Sequence, residues 1–426
     1  MNRICVAAIL LLALISMGQA TNVDESKVPS YVLPDLMVSA NGEPVTTSKQ
    51  WQAQRRGELL DLFRAEMFGQ APGRPEVHTT KEVVLDALNG LAIRKQVTLR
   101  IGNTPDSPEL DLLIYLPKKA AIKAPKSVPV FLGLNFQGNH TIHTDPGIRL
   151  CRSWLPEKRQ ATEASRGRAA SRWPVETILA QGFGLATLYY GDIDPDFHRD
   201  EFTNGVHALY PELQQQDDNF TAIGAWAWGL SRAMDALEND PHVNAQQVAV
   251  IGHSRLGKTA LWAGATDERF ALVISNDSGS GGAALFRRCF GERIHNLNSN
   301  FPHWFSKRFK RYDNKEHSLP FDQHMLIALM APRPVYVASA TRDTWADPKG
   351  EFLAAHAAGP AYRLFGHVGL PSNQWPAPDH PVQGRIGYHL RTGKHDLAAY
   401  DWTQYMAFAK AHWSNDSPKT SGITTR

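Results

Sequence analysis

The sequence predicts an α/β fold, a three-layer sandwich around a mainly parallel central sheet. Short apolar runs alternate with stretches of helical periodicity along most of the chain, which is typical of parallel strands joined by right-handed crossovers. Of the 426 residues, 42% are hydrophobic and 20% are charged, as in ordinary folded proteins and unlike disordered or polytopic membrane proteins. The 45 basic and 42 acidic residues nearly balance, so the charge gives no reason to expect nucleic-acid binding.

The first 20 residues are typical of a cleaved secretory signal. Arg3 precedes an apolar run over residues 6–14, and positions 18–20 are Gly-Gln-Ala. That run is too short to span a bilayer, and its flanks are those of a signal peptide; an amino-terminal core helix or anchor is the alternative. We expect residues 1–20 to be removed on export to the periplasm or the cell exterior, and residues 21–426 to form a single domain with surface insertions.

Eight strands are predicted from alternating apolar residues or from short buried apolar runs. The run at residues 128–134 is long enough to be buried on both faces, as central parallel strands are. The polar loop that follows it, residues 135–141, is a candidate pocket wall, because open α/β sheets bind ligands at the carboxyl ends of their strands. In chain order the predicted strands are residues 93–101, 110–116, 128–134, 184–190, 248–251, 271–275, 335–338 and 386–390.

The clearest helix is predicted over residues 220–239. Its apolar residues recur at helical spacing from Ile223 to Leu237 and form one continuous stripe. Two other segments carry no such pattern. Residues 118–126 are predicted to be a solvated basic loop, and residues 152–173 an exposed excursion rich in Arg, Ser and Ala.

Two cysteines, Cys151 and Cys289, remain once the predicted signal is removed. They are too few for a disulfide scaffold, so the hydrophobic core must stabilise the fold. The sequence leaves open whether they pair or stay as two buried thiols. No segment after the signal has 18 consecutive apolar residues, so no membrane span is predicted.

A serine stands where the strand at residues 248–251 meets the next helix. Ser254 lies two residues after Gly252, and residues 259–263 are compatible with a helix. A serine in such a turn is typical of a nucleophile elbow, which holds the hydroxyl above the sheet beside the positive end of the helix. The second glycine of the usual motif comes one residue late, at Gly257.

Two other interpretations of this turn remain open. Ser254 could be an ordinary helix cap, or Arg255 and Lys258 could bind an anion at the start of the helix. A phosphate-binding loop is disfavoured because Gly252 lies only five residues before Gly257, which is not the glycine spacing of that motif. The strand and helix around the serine favour the nucleophile.

A nucleophilic serine needs a base, and in this kind of fold the base arrives on a loop after a late strand. His395 follows the last predicted strand and is the best candidate among the 17 histidines. The competitors are His380, in a proline-rich stretch, and His389, inside a predicted strand. A packed or solvated ring is the simpler explanation for both.

The acid that orients the base has two candidates. Asp343 follows the strand at residues 335–338, and Asp277 follows the strand at residues 271–275. Either carboxylate could reach a histidine delivered by the final loop, and either could instead be a turn residue that bonds its own backbone.

Taken together, these motifs resemble the glucuronoyl esterases, carbohydrate esterase family 15. The resemblance covers most of residues 110–410, and the late second glycine is the family's own pattern. It rests on Gly-His-Ser-Arg-Leu-Gly-Lys at 252–258, Asp-Ser-Gly-Ser-Gly-Gly at 277–282, Trp-Ala-Asp-Pro at 345–348, Gly-Lys-His-Asp at 393–396, and the loop at 135–141.

The resemblance implies an α/β-hydrolase, a serine esterase that cleaves the ester between 4-O-methyl-glucuronic acid of glucuronoxylan and lignin alcohols. Ser254 would be the nucleophile and His395 the base, and Arg255 would hold the oxyanion through its backbone N–H and guanidinium. No metal or other cofactor is expected, since the histidines show no clustered ligand spacing. The predicted binding partners are glucuronoxylan and the lignin–carbohydrate ester. No binding to nucleic acid or to a membrane is expected, and the enzyme is expected to be a monomer.

The family also places Lys258, Glu292 and Trp345 on the sugar; cationic side chains suit a uronate, and an aromatic face suits a pyranose ring. Two departures from the family pattern matter. Fungal members carry a disulfide-bonded Cys where His253 stands, so this chain looks bacterial. Many members carry Glu at the position of Asp277, whose shorter side chain could fall short of the base.

We therefore expect Asp343 to be the triad acid, with Asp277 as an auxiliary or alternative. Two other functions stay in view. The first is the same machinery acting on acetyl-xylan or another polysaccharide acyl ester. The second is a non-catalytic glycan-binding protein on a decayed hydrolase fold, against which the intact serine, aspartate and histidine argue.

Overall fold

The centre of the molecule is a ten-stranded sheet. The computed structural model describes residues 21–104, 106–153, 155, 160–197 and 202–413, so the predicted signal lies outside the described residues. The strands are β1 (Val77–Ala87), β2 (Ala92–Ile101), β3 (Glu109–Pro117), β4 (Val128–Asn135), β5 (Gly184–Tyr189), β6 (Val243–His253), β7 (Leu272–Asn276), β8 (Val335–Ala340), β9 (Val382–Gln383) and β10 (Ile386–Arg391).

The order across the sheet is β1-β2-β3-β5-β4-β6-β7-β8-β10-β9. The six strands from β5 to β10 in this order are parallel to one another, and antiparallel strands complete both edges. The parallel strands end at one edge, where the loops after β6, β7, β8 and β10 meet. The predicted, mainly parallel sheet is confirmed.

Helices lie before, between and after these strands along the chain. They are α1 (Ser48–Gln50), α2 (Arg56–Phe63), α3 (Lys118–Lys123), α4 (Val175–Ala180), α5 (Tyr190–Ile193), α6 (Ala222–Glu238), α7 (Arg255–Thr266), α8 (Ile294–Asn300), α9 (Gln323–Ala328), α10 (Pro348–Ala357), α11 (Gly359–Arg363) and α12 (Ala399–Trp413).

Each face of the sheet has its own hydrophobic core. Val248 and Val250 of β6 pack into the cluster that contains α6 and α7, whereas Ala249 and Ile251 pack into the cluster that contains α4 and α12. Because successive side chains of a strand point to opposite faces, this alternation confirms the three predicted layers.

The eight predicted strands are all present, whereas β1 and β9 were not predicted. Strand β1 is exposed along most of its length, so its sequence lacks the apolar alternation that marks a half-buried strand, and β9 has only two residues. The predicted helix is α6, and the side chain of Thr221 caps it by accepting the N–H of Gly224 at 3.0 Å.

The prediction of a loop over residues 118–126 is wrong for its first six residues, which form α3. Ala121 is buried there, and lysine and alanine, which make up five of the six residues of α3, favour a helix. The excursion at residues 152–173 is confirmed as irregular in its described part, with most side chains exposed or half-buried.

Both remaining cysteines are free thiols. Burial raises the pKa of Cys151 to about 12 and that of Cys289 to about 11, so neither thiol is activated. Within the described part of the chain, no helix combines the length and apolar character needed to cross a membrane.

Candidate active site

Ser254 lies in the sharp turn between β6 and α7. Its φ and ψ are 59° and −130°, a strained conformation for a residue with a side chain. The turn requires both glycines. A Cβ on Gly252 would lie 1.8 Å from the carbonyl O of Leu256, and one on Gly257 would lie 2.9 Å from the Cβ of Ser278. The late second glycine therefore lets the start of α7 pack against the loop after β7.

His395 and Asp343 form a hydrogen-bonded pair beside this turn. Nδ1 of His395 lies 2.6 Å from Oδ2 of Asp343; the imidazole is 41% exposed and the carboxylate 6%. The His253 ring, next to Ser254, lies 4.5 Å from the His395 ring between centroids. Because Nδ1 faces the carboxylate, Nε2 is the nitrogen available to take a proton.

Asp277 also lies next to this pair. One of its oxygens is within 4.8 Å of the facing atoms of Asp343 and His395. Its Oδ2 accepts the N–H of Asp396 at 3.1 Å, and its buried Oδ1 has no hydrogen-bond partner among the described residues. Burial, and then the negative charges of Glu351 and Asp343, raise the pKa of Asp277 well above its ordinary value. Both candidate acids are thus present beside His395, and Asp343 is the one hydrogen-bonded to its ring.

The other histidines considered for the base are engaged elsewhere. His389 is fully buried, with Nε2 at 2.8 Å from Oδ1 of Asp401 and Nδ1 at 3.1 Å from the hydroxyl of Tyr336. His380 is exposed, and its Nδ1 lies 2.8 Å from the carbonyl O of Pro378. Both are the packed or solvated rings expected from the sequence.

A buried glutamate supports the loop that carries Asp277. Glu351 in α10 accepts the N–H groups of Ser278 and Gly279, each at 2.9 Å, and the hydroxyl of Ser339 at 2.6 Å. Burial raises the pKa of Glu351 to about 8 despite these donors. The sequence gives no local signal for this residue, since its partners lie on other elements.

Arg255, the first residue of α7, is held by Asp196. Asp196 also accepts Nε2 of His303 at 2.8 Å and the indole N–H of Trp304 at 2.7 Å. Burial raises the pKa of Asp196, but the hydrogen bond from His303 and the charge of Arg255 outweigh burial and lower it to about 2. The guanidinium carbon lies 4.9 Å from the Trp304 ring and 5.7 Å from the Phe136 ring. Asp196 lies in the acidic stretch that follows β5 and α5, a placement that could have marked it.

The loop predicted as a pocket wall therefore reaches the serine turn. Phe136 lies in it, and its ring is 6.2 Å from that of His253. Nε of Arg255 is buried and has no hydrogen-bond partner in the part of the chain that is described.

Lys258, Glu292 and Trp345 also meet in the structure. Nζ of Lys258 donates to the carbonyl oxygens of Ser278 at 2.7 Å and Ser280 at 2.6 Å, and lies 3.5 Å from Oε2 of Glu292. Burial lowers the pKa of Lys258, while Glu292 opposes that shift. The backbone N–H of Glu292 donates to the carbonyl O of Trp345 at 2.9 Å, and the indole of Trp345 is 43% exposed.

Comparisons with known proteins agree with this geometry. A family model described as "Glucuronyl esterase, fungi" matches residues 176–366. A solved promiscuous CE15 esterase from the marine bacterial metagenome is 52% identical, with 92% of this chain and 100% of that chain covered and a TM-score of 0.85. The solved glucuronoyl esterase from Solibacter usitatus is 49% identical, with 91% and 100% covered and a TM-score of 0.87.

A curated relative extends the likeness to fungi. The 4-O-methyl-glucuronoyl methylesterase 1 of Wolfiporia cocos is 36% identical over 446 aligned positions, which cover 98% of this chain and 93% of that protein. Identity at this level over nearly the whole length, on the same fold, leaves one assignment. The chain belongs to the glucuronoyl esterases of carbohydrate esterase family 15 and is a carboxylic ester hydrolase.

Proposed function

We propose that this enzyme hydrolyses the ester between (4-O-methyl-)glucuronic acid of glucuronoxylan and lignin alcohols, through an acyl-enzyme on Ser254. The observation that carries the proposal is the 2.6 Å hydrogen bond between His395 and Asp343 beside a serine held in a strained strand-to-helix turn. The glucuronoyl esterase from Solibacter usitatus and the methylesterase from Wolfiporia cocos support the substrate class.

In the acylation step, Nε2 of His395 takes the proton of Ser254 as its Oγ attacks the uronate carbonyl carbon. Asp343 holds the imidazole in the tautomer that leaves Nε2 free and stabilises the imidazolium that forms. His395 then gives the proton to the leaving alcohol as the carbon–oxygen bond of the ester breaks. Water attacks the resulting acyl-enzyme with His395 again as base, which releases the uronic acid and restores Ser254.

The tetrahedral intermediate places a negative charge on the former carbonyl oxygen. Arg255 is proposed to stabilise it in two ways. Its backbone N–H is one of the first in α7, and such groups have no partner within their own helix. Its guanidinium, fixed by Asp196, has an unpartnered Nε. Because the ester itself is neutral, a cation here favours the transition state over the bound substrate.

The sugar is proposed to lie against Trp345, Glu292 and Lys258. The exposed indole of Trp345 offers an aromatic face to the pyranose ring, and Glu292 offers a carboxylate to its hydroxyl groups. Lys258 is already engaged with two carbonyl oxygens and lies 3.5 Å from Glu292. Because these three acceptors match the three N–H donors of the ammonium, Lys258 is proposed to act on the sugar through Glu292, whose position and charge it fixes.

Further features of the enzyme complete the proposal. Residues 21–426 form one catalytic domain, residues 1–20 direct export to the periplasm or the cell exterior, and the enzyme acts as a monomer without a cofactor. A single sheet that takes strands from Val77 to Arg391 supports the one-domain assignment.

The substrate proposal is tested by comparing kcat/KM for the benzyl ester of glucuronic acid and for an aryl acetate. We expect the enzyme to prefer the uronate ester. In Trp345→Ala, kcat/KM for the uronate ester should fall by about tenfold, the loss of roughly 1.4 kcal/mol, while that for the acetate stays unchanged, because an acetyl group is too small to reach the indole.

The same comparison distinguishes the alternatives. Preference for the aryl acetate would favour an acyl esterase of broad or acetyl specificity, an outcome made relevant by the promiscuous marine relative. Inertness toward both esters would favour a non-catalytic glycan-binding protein. An equal effect of Trp345→Ala on both esters would remove this residue from the sugar site.

A further inference from the structure

A second arginine, besides Arg255, lies close to the proposed catalytic residues, under the loop that carries His395. Arg391 is the last residue of β10, and its side chain is 8% exposed. Its Nη2 donates to the carbonyl oxygens of Lys394 and Asp396, each at 2.9 Å. These carbonyl groups belong to the residues immediately before and after His395, so one guanidinium holds the backbone on both sides of the base.

The guanidinium is itself fixed from the other end. Nε of Arg391 lies 3.0 Å from both carboxylate oxygens of Asp401. Asp401 is fully buried in the first turn of α12, and it also accepts the N–H of Ala398 at 2.6 Å and a ring nitrogen of His389 at 2.8 Å. The loop between β10 and α12 is therefore closed by a side-chain bridge whose two partners are both buried and hydrogen-bonded.

The loop backbone passes directly over the cation. A Cβ on Gly393 would lie 2.2 Å from Nη1 of Arg391, which leaves room only for glycine. Asp277 completes the arrangement, because its Oδ2 accepts the N–H of Asp396 and lies 3.6 Å from Nη2 of Arg391. Arg391 and Asp277 thus hold the carbonyl and the N–H of the residue that follows the base.

We propose that Arg391 is a positioning residue that sets the place of His395 relative to Ser254. Only arginine suits this task, because its planar fork can face a carboxylate and two carbonyl oxygens at once, whereas a lysine ammonium is a single point on a flexible stem. A displacement of about 1 Å at a catalytic group costs on the order of 10²-fold in rate. The inference rests on the proposed roles of Ser254 and His395.

The test compares Arg391→Ala and Arg391→Lys with Arg172→Ala on the benzyl ester of glucuronic acid. Arg172 is the matched control, since its side chain bonds the same loop through the carboxylate of Asp396, at 2.6 Å, and not through the backbone beside His395 in the described residues. In Arg391→Ala we expect kcat to fall on the order of 10²-fold with KM within about threefold, because the sugar contacts lie on other elements. Added guanidinium should restore part of kcat, and Arg172→Ala should leave kcat within about twofold.

Arg391→Lys keeps a positive charge next to Asp401. It tests the positioning role of Arg391 even if Arg391→Ala fails to fold. We expect the lysine variant to fold and to lose kcat by about tenfold, without a matching rise in KM. Wild-type kcat retained in Arg391→Lys, or a loss that appears in KM alone, would overturn the proposal. Absence of turnover in the wild-type enzyme would instead overturn the proposed function, so the two failures are distinguishable.

Discussion

Replacing Ser254 by alanine is expected to lower kcat for the benzyl ester of glucuronic acid by at least about 10⁴-fold. The variant keeps its fold and its sugar site but loses the atom that forms the covalent bond. His395 and the oxyanion donors remain, so a small residual rate over water is expected. The measurement is kcat at saturating ester, with folding checked by circular dichroism.

A serine variant on the surface provides the control. Ser299, exposed in α8, contacts none of the proposed catalytic residues in the described structure, and Ser299→Ala should retain wild-type kcat. Turnover in Ser254→Ala above about one hundredth of the wild-type rate would contradict the nucleophile assignment, because loss of a true nucleophile typically costs several orders of magnitude.

The second large loss of kcat is expected when Asp343, the proposed triad acid, is replaced. Asp343→Asn should lower kcat by about 10³- to 10⁴-fold, because an amide cannot hold the imidazole in the required tautomer. Asp277→Asn should lower it by less than about tenfold. Its Oδ2 is engaged with the backbone N–H of Asp396, a bond that an asparagine oxygen can also accept, and burial raises the pKa of Asp277 and so disfavours its ionised form.

The two asparagine variants must be measured side by side, at one pH and on one ester. A larger loss in Asp277→Asn than in Asp343→Asn would reverse the assignment and make Asp277 the triad acid. Comparable losses in both variants would mean that the two carboxyls act together on the base, and the double variant would then lose no more than the worse single variant.

Much of the fold could be predicted because buried positions of strands and helices carry apolar residues in a recognisable pattern. Strand β4, for example, is apolar on both faces because helices cover both sides of it. The strand β1 was missed for the opposite reason, since both of its faces meet solvent. The helix α3 was missed because its charged residues outnumber the one alanine that it buries.

The loops that carry the proposed catalytic residues could also be predicted, since Ser254, Asp343 and His395 each follow a recognisable strand. Sequence alone could not choose between Asp343 and Asp277, which follow neighbouring parallel strands and reach the same edge of the sheet. Two supporting residues, Arg391 and Glu351, carried no such signal. Arg391 lies at the end of a strand, as many arginines do. Glu351 accepts the N–H of Ser278, which lies 73 positions earlier in the chain, so the contact exists only in the folded protein.

The central claim is that the uronoyl group forms an acyl-enzyme on Ser254. It is tested most directly by measuring how this acyl-enzyme partitions between attack by water and attack by an added alcohol. The methyl and benzyl esters of glucuronic acid are each hydrolysed in the presence of ethanol, and the ratio of ethyl ester to free acid is measured. A common acyl-enzyme predicts the same ratio from both esters, since the leaving alcohol has already departed when ethanol or water attacks. Ratios that depend on the leaving alcohol would contradict a shared acyl-enzyme and, with it, the proposed role of Ser254.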